Sequence, residues 1–324
     1  MNWYRGCETF VREQAPLAGQ TSYRVGGSAE FYAEPPDAEA LSRLLTSAGA
    51  AGQPVRVLGR GTNLLVADTG VKGLVVRLPK EGFGKLDCDG TLIRAGAALS
   101  LSALIKWSVA QGLSGLECLQ GIPGGLGGAL RMNAGGKHGQ IGNRVRRVFG
   151  VERDGASFEA AAAECGFAYR SSKLDGRIVT GCELELVPGD KAASQKRLAQ
   201  ISAEKGASQP LAARSAGCVF KNPEQPRVPP AGKLIEELGL KGLRFGGATV
   251  SMLHANFLVC DNGATAQDLV QLIRFVRLRA YEACGVLLEL EIETWGFEAQ
   301  ELMPPGWKPA LECVPDASGA LAAG

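Results

Sequence analysis

Val55-Arg56-Val57-Leu58-Gly59-Arg60-Gly61-Thr62-Asn63-Leu64-Leu65-Val66 is the stretch that decides the fold. Val55 to Leu58 reads as a buried strand from its β-branched and apolar content. It runs straight into a glycine turn, and Leu64-Leu65-Val66 leaves as a further strand. Consecutive backbone N–H groups in such a turn form a concave anion site, and Thr62 and Asn63 add side-chain donors. The turn is not a dinucleotide fingerprint, because Gly59-x-Gly61 is followed at the third position by Leu64. No G-x-x-x-x-G-K-[ST] occurs in the chain. Taken alone, the loop is equally readable as a tight turn.

A second loop sharpens the first. Gly121-Ile122-Pro123-Gly124-Gly125-Leu126-Gly127-Gly128 holds five glycines and one proline in eight residues. With side chains nearly absent, a ligand can approach the backbone closely. Here Gly125-x-Gly127 is followed by Leu130, so this loop is no fingerprint either. Two such loops point to a pyrophosphate ligand held in an α/β fold other than the doubly wound one.

Residues 1–79 read as short strands around one helix, which starts at Pro35-Pro36-Asp37 and carries Leu41, Leu44 and Leu45 at helical spacing. Residues 80–189 form a second region, with an amphipathic helix from Leu99 to Gly112 and short strands between glycine turns. A third region, 190–296, opens with a polar helical connector from Asp190 to Ala207. It holds the clearest helix in the chain, Thr265 to Cys284, where Thr265 and Asp268 suggest a capping box. Leu287 to Glu293 alternates apolar and acidic residues and reads as a strand with its three glutamates on a solvated face. Residues 297–324 read as an irregular tail.

Composition narrows the function classes. At 324 residues the chain is long enough for two or three domains. A net charge of +2 gives no case for bulk attraction to nucleic acid or membrane. No run approaches the ~18 apolar residues of a membrane span, and the charged first 21 residues do not read as a signal peptide. The nine cysteines are odd in number, scattered and without a C-x-x-C pair, so reduced thiols in a cytoplasm are expected. Two histidines, His138 and His254, supply zinc sites and Ser-His-Asp hydrolysis poorly.

After the connector, the third region continues with Ser215-Ala216-Gly217-Cys218-Val219-Phe220-Lys221-Asn222-Pro223. In an extended segment Cys218, Phe220 and Asn222 share one face and Lys221 points away. That arrangement puts a transferable proton beside a polar anchor. A buried core cysteine in a strand ending at Pro223 is the plainer reading, since free cysteines are among the most buried residues.

Taken together and in order, ten segments resemble the UDP-N-acetylenolpyruvoylglucosamine reductases of bacterial cell-wall synthesis. They are Thr21-Ser-Tyr-Arg-Val-Gly-Gly-Ser-Ala, Val57-Leu-Gly-Arg-Gly-Thr-Asn-Leu-Leu-Val, Gly121-Ile-Pro-Gly-Gly-Leu-Gly-Gly-Ala, Met132-Asn-Ala-Gly and Phe167-Ala-Tyr-Arg-Ser-Ser. The others are Ser215-Ala-Gly-Cys-Val-Phe-Lys-Asn-Pro, Leu234-Ile-Glu-Glu-Leu-Gly-Leu-Lys-Gly, Gly246-Gly-Ala, His254-Ala-Asn-Phe and Leu288-Glu-Leu-Glu-Ile. They span about residues 20–296. Each is weak alone; ten in one order are specific.

The resemblance implies an α/β (α+β) flavoprotein: an FAD-binding fold of the vanillyl-alcohol-oxidase type in two subdomains, plus a C-terminal α+β substrate domain. The short path from Arg170 to Cys218 matches the class without a substrate-domain insertion. It implies non-covalent FAD and NADPH as hydride donor. It also implies a UDP-sugar substrate whose enolpyruvyl group becomes a lactyl ether. No nucleic-acid or membrane partner is implied, and a monomer is expected. FAD contacts fall on Gly59, Arg60, Gly61, Thr62, Asn63 and Leu64, and on Gly121, Ile122, Pro123, Gly124, Gly125, Gly127 and Gly128.

The resemblance assigns roles as well. Arg170 faces the substrate carboxylate, where an always-charged guanidinium can stabilise an enolate. Cys218 stands where serine is commoner and protonates carbon; its reference pKa of ~8.5 keeps it mostly protonated at neutral pH. Glu291, fixed only by counting back from Trp295-Gly296, lies on the side of the substrate away from the arginine. Tyr169, Lys221 and Asn222 are expected to meet the substrate, the last two at its diphosphate. Arg131, Lys137 and His138 replace usual aromatic positions and are expected to be exposed or to touch a nucleotide phosphate.

Two other readings stay open on sequence. One is an oxidase or dehydrogenase of the same flavin fold, with FAD attached covalently through His or Cys; His138 lies near a glycine loop. The other is a flavin- or UDP-sugar-binding regulator without turnover, against which the set of Arg170, Cys218 and Glu291 argues.

Overall fold

The computed structural model describes residues 2–307. Asp37 starts the first helix by accepting the Ala40 N–H at 2.8 Å, and Leu41, Leu44, Leu45 and Ala48 bury its inner stripe. That helix, Ala38–Ala50, links Ser28–Ala33 to Val55–Val57 in a four-stranded sheet. The sheet order is Val11–Pro16, Ser28–Ala33, Val71–Val76, Val55–Val57, with only the first pair antiparallel. The Gly59–Asn63 loop therefore leaves the edge strand at its carboxyl end. Gly61 sits at φ +63, and a Cβ there would lie 2.1 Å from the Gln20 carbonyl oxygen. Only glycine lets the loop pack this close to the Thr21 segment.

A second, wholly antiparallel sheet runs Ser157–Ala161, Val145–Val151, Ile178–Glu185, Leu92–Gly96, Leu86–Asp89. Helices Leu101–Ala110 and Leu126–Arg131 cover it with Leu101, Leu104, Ile105, Leu126 and Leu130. The glycine loop between those helices is stitched down by Leu101 N–H to Gly124 O and Leu126 N–H to Leu99 O. Helix Lys191–Ser208 lies on this second lobe: Leu198 joins its core and Lys205 Nζ donates to Gln120 O at 2.6 Å.

The third core gathers from Ala216 onward around helix Ala266–Cys284 and the small sheet Arg244–Phe245, Ala248–Val250, Leu258–Cys260. The expected capping box of Thr265 and Asp268 is formed. Tyr23, Val25 and Leu65 of the first lobe belong to this same core. Glu293–Trp295 returns to pair in parallel with Leu64–Val66. The first and third lobes are thus joined by both packing and backbone bonds.

Two expectations fail here. Leu287 to Glu293 is not a continuous strand; it holds an isolated bridge at Leu290, and regular pairing begins only at Glu293. Residues 297–307 are not an irregular tail. Ala299–Leu302 is a 3-10 turn whose Leu302 is buried, Arg277 Nη1 donates to Leu302 O at 2.7 Å, and Trp307 meets Tyr281 edge-on. Residues 308–324, the rest of the expected tail, lie outside the described residues.

Candidate active site

A cavity of about 1240 Å³ runs between the lobes. Both glycine loops line it, as do Arg170, Cys218 and Glu291. This exceeds the ~300–1,000 Å³ of ordinary small-ligand pockets, so there is room for a large cofactor and a substrate together.

The Gly59–Asn63 loop fits an anion. Among the described residues, none of its five backbone N–H groups donates to a protein acceptor. Gly61 is buried all the same, and a buried unpaired N–H is rare unless a ligand completes it. In the second loop the N–H groups of Gly124 and Gly125 are likewise without protein acceptors. Thr62 Oγ1 donates to Pro123 O at 3.3 Å and ties the two loops together. A Cβ on Gly59 or Gly128 would meet nothing within 4 Å, so open space lies against the backbone there. These features suit the FAD that the sequence resemblance implies, with its diphosphate on the Gly59–Asn63 nest. A covalent link through His138 is disfavoured, because Arg197 and Glu204 occupy both its ring nitrogens.

Three irregular segments meet beside these loops and are sewn together by a few bonds. Glu291 N–H donates to Val219 O at 2.8 Å, and Lys221 N–H to Glu289 O at 2.9 Å. Asn63 Nδ2 donates to Glu291 O at 3.0 Å. The cofactor loop thus holds the glutamate's backbone directly. Asn256 is 3% exposed and clamps Phe220 from both sides, donating to its carbonyl at 2.8 Å and accepting its N–H at 2.9 Å. That clamp fixes the segment bearing Cys218.

Asn133 does the same for the arginine. It is 1% exposed, donates to Ala168 O at 2.9 Å and accepts Gly142 N–H at 3.0 Å. Arg170 itself sits at φ +53. A left-handed conformation costs a non-glycine residue about 1–3 kcal/mol and persists only where its surroundings hold it. The loop pattern marks Asn63 only as a cofactor contact; Asn133 and Asn256 are positioning residues that sequence reasoning does not reach, although both lie in the motifs Met132-Asn-Ala-Gly and His254-Ala-Asn-Phe. An asparagine can satisfy a donor and an acceptor at once, and that is the signal those motifs carried.

Arg170 Nε donates to Glu291 Oε1 at 2.6 Å, and Arg170 Nη1 to Gly135 O at 2.9 Å. The arginine and the glutamate, expected on opposite sides of the substrate, are in direct contact here. The solvated face of three glutamates fails too. Glu289 is 74% exposed, but Glu291 is only 14% exposed and Glu293 pairs with Arg131 at 2.8 Å. The register that selected Glu291 coincides with the most buried of the three.

Burial pushes the Glu291 carboxyl above its ordinary value, and the charge and hydrogen bond of Arg170, then Lys221, oppose it. The Cys218 thiol is pushed up to about 12, first by burial and next by the Glu291 charge, with Arg170 opposing. At neutral pH it is therefore a thiol, able to give a proton and poor as a nucleophile. Iodoacetamide at pH 7.5 is expected to label the exposed Cys88 and Cys284 well before Cys218, read by peptide mass spectrometry. Fastest labelling at Cys218 would mean a low-pKa nucleophile and remove the acid role.

Some expected site residues are placed elsewhere. Strict alternation does not hold at the cysteine, because Val219 and Phe220 are both buried in the third core. Asn222 is exposed and its Oδ1 accepts the Ala231 N–H at the start of helix Ala231–Glu237. Lys221 pairs with Glu289 at 3.1 Å. Neither they nor Tyr169 line the cavity; Tyr169 is 56% exposed, with the Arg170 guanidinium 5.3 Å from its ring. Conversely, Arg131, Lys137 and His138 all line it; Lys137 is exposed, as expected, whereas His138 is mostly buried. Lys205 lines it as well. Burial and the nearby Arg170 charge lower the Lys205 pKa.

Comparison with known proteins gives a consistent result. A family model described as UDP-N-acetylenolpyruvoylglucosamine reductase, C-terminal domain, matches residues 209–295, and an FAD binding domain model matches residues 29–160. The chain is 44% identical over 290 residues to the UDP-N-acetylenolpyruvoylglucosamine reductase of Anaeromyxobacter dehalogenans, covering 89% of this chain and 87% of that one. It is 42% identical to UDP-N-acetylenolpyruvoylglucosamine reductase 2 of Symbiobacterium thermophilum, covering 88% and 92%. The crystal structure of the UDP-N-acetylenolpyruvylglucosamine reductase from Thermus caldophilus matches with a TM-score of 0.77 at 39% identity, over 88% of this chain and 100% of that one.

Proposed function

This chain belongs to the UDP-N-acetylenolpyruvoylglucosamine reductase family, and from that premise we propose that Arg170, Cys218 and Glu291 carry its chemistry. The protein is an FAD-dependent oxidoreductase. It uses NADPH to reduce the enolpyruvyl group of UDP-N-acetylglucosamine enolpyruvate to the lactyl ether of UDP-N-acetylmuramate. That product feeds peptidoglycan synthesis, and through it cell shape and division. The single observation that carries the residue assignment is the meeting of Arg170, Cys218 and Glu291 on one cavity wall beside two loops with unpaired N–H groups.

When bound, FAD supplies the hydride relay between NADPH and the enolpyruvyl CH2 carbon. The chain does the rest. The unpaired N–H groups at Gly59–Asn63 would hold the cofactor diphosphate. Arg170 binds the substrate carboxylate and opposes the negative charge that develops beside it. Cys218 gives the proton of its thiol to the carbon that bears the carboxylate, leaving a thiolate that solvent reprotonates. Glu291 sets the charge of the pair: it holds Arg170 in place before substrate arrives.

No helix among the described residues is long and apolar enough to cross a membrane. We place the enzyme in a bacterial cytoplasm, where nucleotide-linked precursors and NADPH are made. A monomer is part of the same proposal. The test is the loss of NADPH absorbance with UDP-N-acetylglucosamine enolpyruvate as acceptor. Turnover by yellow protein, with free FAD released on acid precipitation, is the expected result. Colourless protein that takes up no FAD would overturn the reading.

A further inference from the structure

A second hollow of about 270 Å³ adjoins the main cavity and shares Cys118 and His138 with it. Its charged walls are Arg144, Arg197, His138 and Glu117, with the side chains of Asn143 and Gln140 beside them. Arg144 packs over Gly115, where a Cβ would come within 2.7 Å of Arg144 Nε. Among the described residues, this guanidinium has no ion pair and no hydrogen bond. Arg197 likewise has no carboxylate partner among them; Nη2 meets His138 Nδ1 at 2.9 Å, and Nη1 makes a long 3.4 Å contact to Gln200.

Arg197 is aimed rather than loose. Since a guanidinium can only donate, His138 Nδ1 must accept, which leaves its proton on Nε2. That nitrogen faces Glu204 Oε2 at 3.4 Å, and Lys137 Nζ holds the same oxygen at 2.6 Å. A chain from Glu204 through His138 therefore orients one guanidinium, while a second stands unpaired. Glu117 makes no ion pair with either guanidinium among the described residues, although its carboxylate, kept ionised against burial by hydrogen bonds, offsets part of their charge from the same wall. Its two oxygens accept Gly115 N–H at 2.7 Å and Ser194 Oγ at 2.6 Å. Charge and donors remain for one compact anion, which forked guanidinium donors suit well.

The shape selects among phosphate groups. A hollow of this size at the side of a larger cavity takes the end of a branch. It does not suit a link in the middle of a chain. The UDP-sugar carries its phosphates as an internal diphosphate, and the cofactor diphosphate already has the Gly59–Asn63 nest. NADPH alone brings a terminal phosphate monoester, a dianion, on its adenosine ribose.

We propose that the hollow framed by Arg144, Arg197 and His138 binds the 2′-phosphate of NADPH and sets the preference for NADPH over NADH. This inference rests on the reductase reading of the main cavity. The arginines lie outside the set that handles the enolpyruvyl group, so they are specificity residues for the donor. His138 and Glu204 act through Arg197 and are positioning residues.

The test uses the FAD-loaded enzyme with Arg144→Gln and, separately, Arg197→Gln. Calorimetry with adenosine 2′,5′-bisphosphate and adenosine 5′-monophosphate reads the site without turnover. Each charged hydrogen bond lost is expected to weaken the bisphosphate about 10- to 100-fold, with little change for the monophosphate. The ratio of kcat/KM for NADPH to that for NADH is expected to fall by a similar factor, mainly through KM. An unchanged ratio with unchanged bisphosphate binding overturns the proposal. So does a rise confined to the KM of the UDP-sugar, which would assign the arginines to its diphosphate. Failure of the reductase reading would appear separately, as no turnover with either donor while bisphosphate binding still responds to Arg144.

Discussion

Cys218→Ala is expected to separate the two halves of the reaction. Bleaching of the bound flavin by NADPH should stay within about threefold of the parent. Return of flavin colour on adding the enolpyruvyl substrate should slow by about 10²–10⁴-fold, the range that a positioned proton donor contributes. The NADPH half needs orientation but no proton from this thiol. The substrate half needs one delivered to carbon, and carbon accepts protons slowly from unplaced water. Cys218→Ser should recover most of the lost rate, because a hydroxyl at the same position is also a donor. Stopped-flow absorbance measures both halves in one instrument. Full reoxidation in Cys218→Ala would remove the proton-donor assignment, whatever happened to the steady state. Because Asn256 and Val219 hold this segment by its backbone, truncation at Cys218 should leave the wall in place. The comparison therefore tests chemistry rather than folding.

The fold was legible where periodicity or glycine punctuation governs. The helices Ala38–Ala50 and Ala266–Cys284 announce themselves through spaced leucines and caps, and both glycine loops reach the cavity. The site was legible as motifs but not as geometry. Its walls are irregular segments joined by single bridges such as Cys218 to Phe257 and Phe220 to Leu290, separated by tens of residues. No local pattern encodes such pairings. Alternation along Leu287 to Glu293 suggested a strand with solvated glutamates, but its partners are the Cys218 segment and Asn63, and these bury Glu291. Similarly, the polar end at Asn222 reads as a substrate anchor, whereas its side chain accepts the N–H of Ala231, nine residues on, at the first position of a helix of the third lobe. The order of residues 297–307 is not legible in the sequence because its cause is tertiary: Arg277 on a distant helix offers a donor to Leu302 O.

Arg170→Ala is expected to slow the substrate half by about 10³-fold or more, since it removes a charged donor aimed where negative charge develops. Arg170→Lys should recover only part of this, because an ammonium lacks the planar fork that grips a carboxylate at two points. Arg170 has one carboxylate to hold before substrate arrives, Glu291 at 2.6 Å. A substrate carboxylate must compete for the same guanidinium. The groups facing Glu291 are Arg170, the Cys218 thiol and, more distantly, Lys221, itself paired with Glu289. When Arg170 turns to the substrate, burial acts on Glu291 with its main counter-charge diverted, and the carboxyl's affinity for a proton rises. Binding of the enolpyruvyl substrate to the oxidised enzyme should therefore take up protons. Affinity should weaken as pH rises through the bound-state value of that carboxyl. Calorimetry in two buffers of different ionisation enthalpy measures the uptake directly. Glu291→Gln should abolish it, and should also cost catalysis heavily, because the amide neither balances Arg170 nor accepts the proton. Arg170→Ala should reduce it, since the carboxyl then lacks its cation before substrate arrives. Binding with no proton uptake in the parent, or uptake that persists in Glu291→Gln, would show that the pair does not exchange partners and would leave Glu291 a structural brace for the arginine.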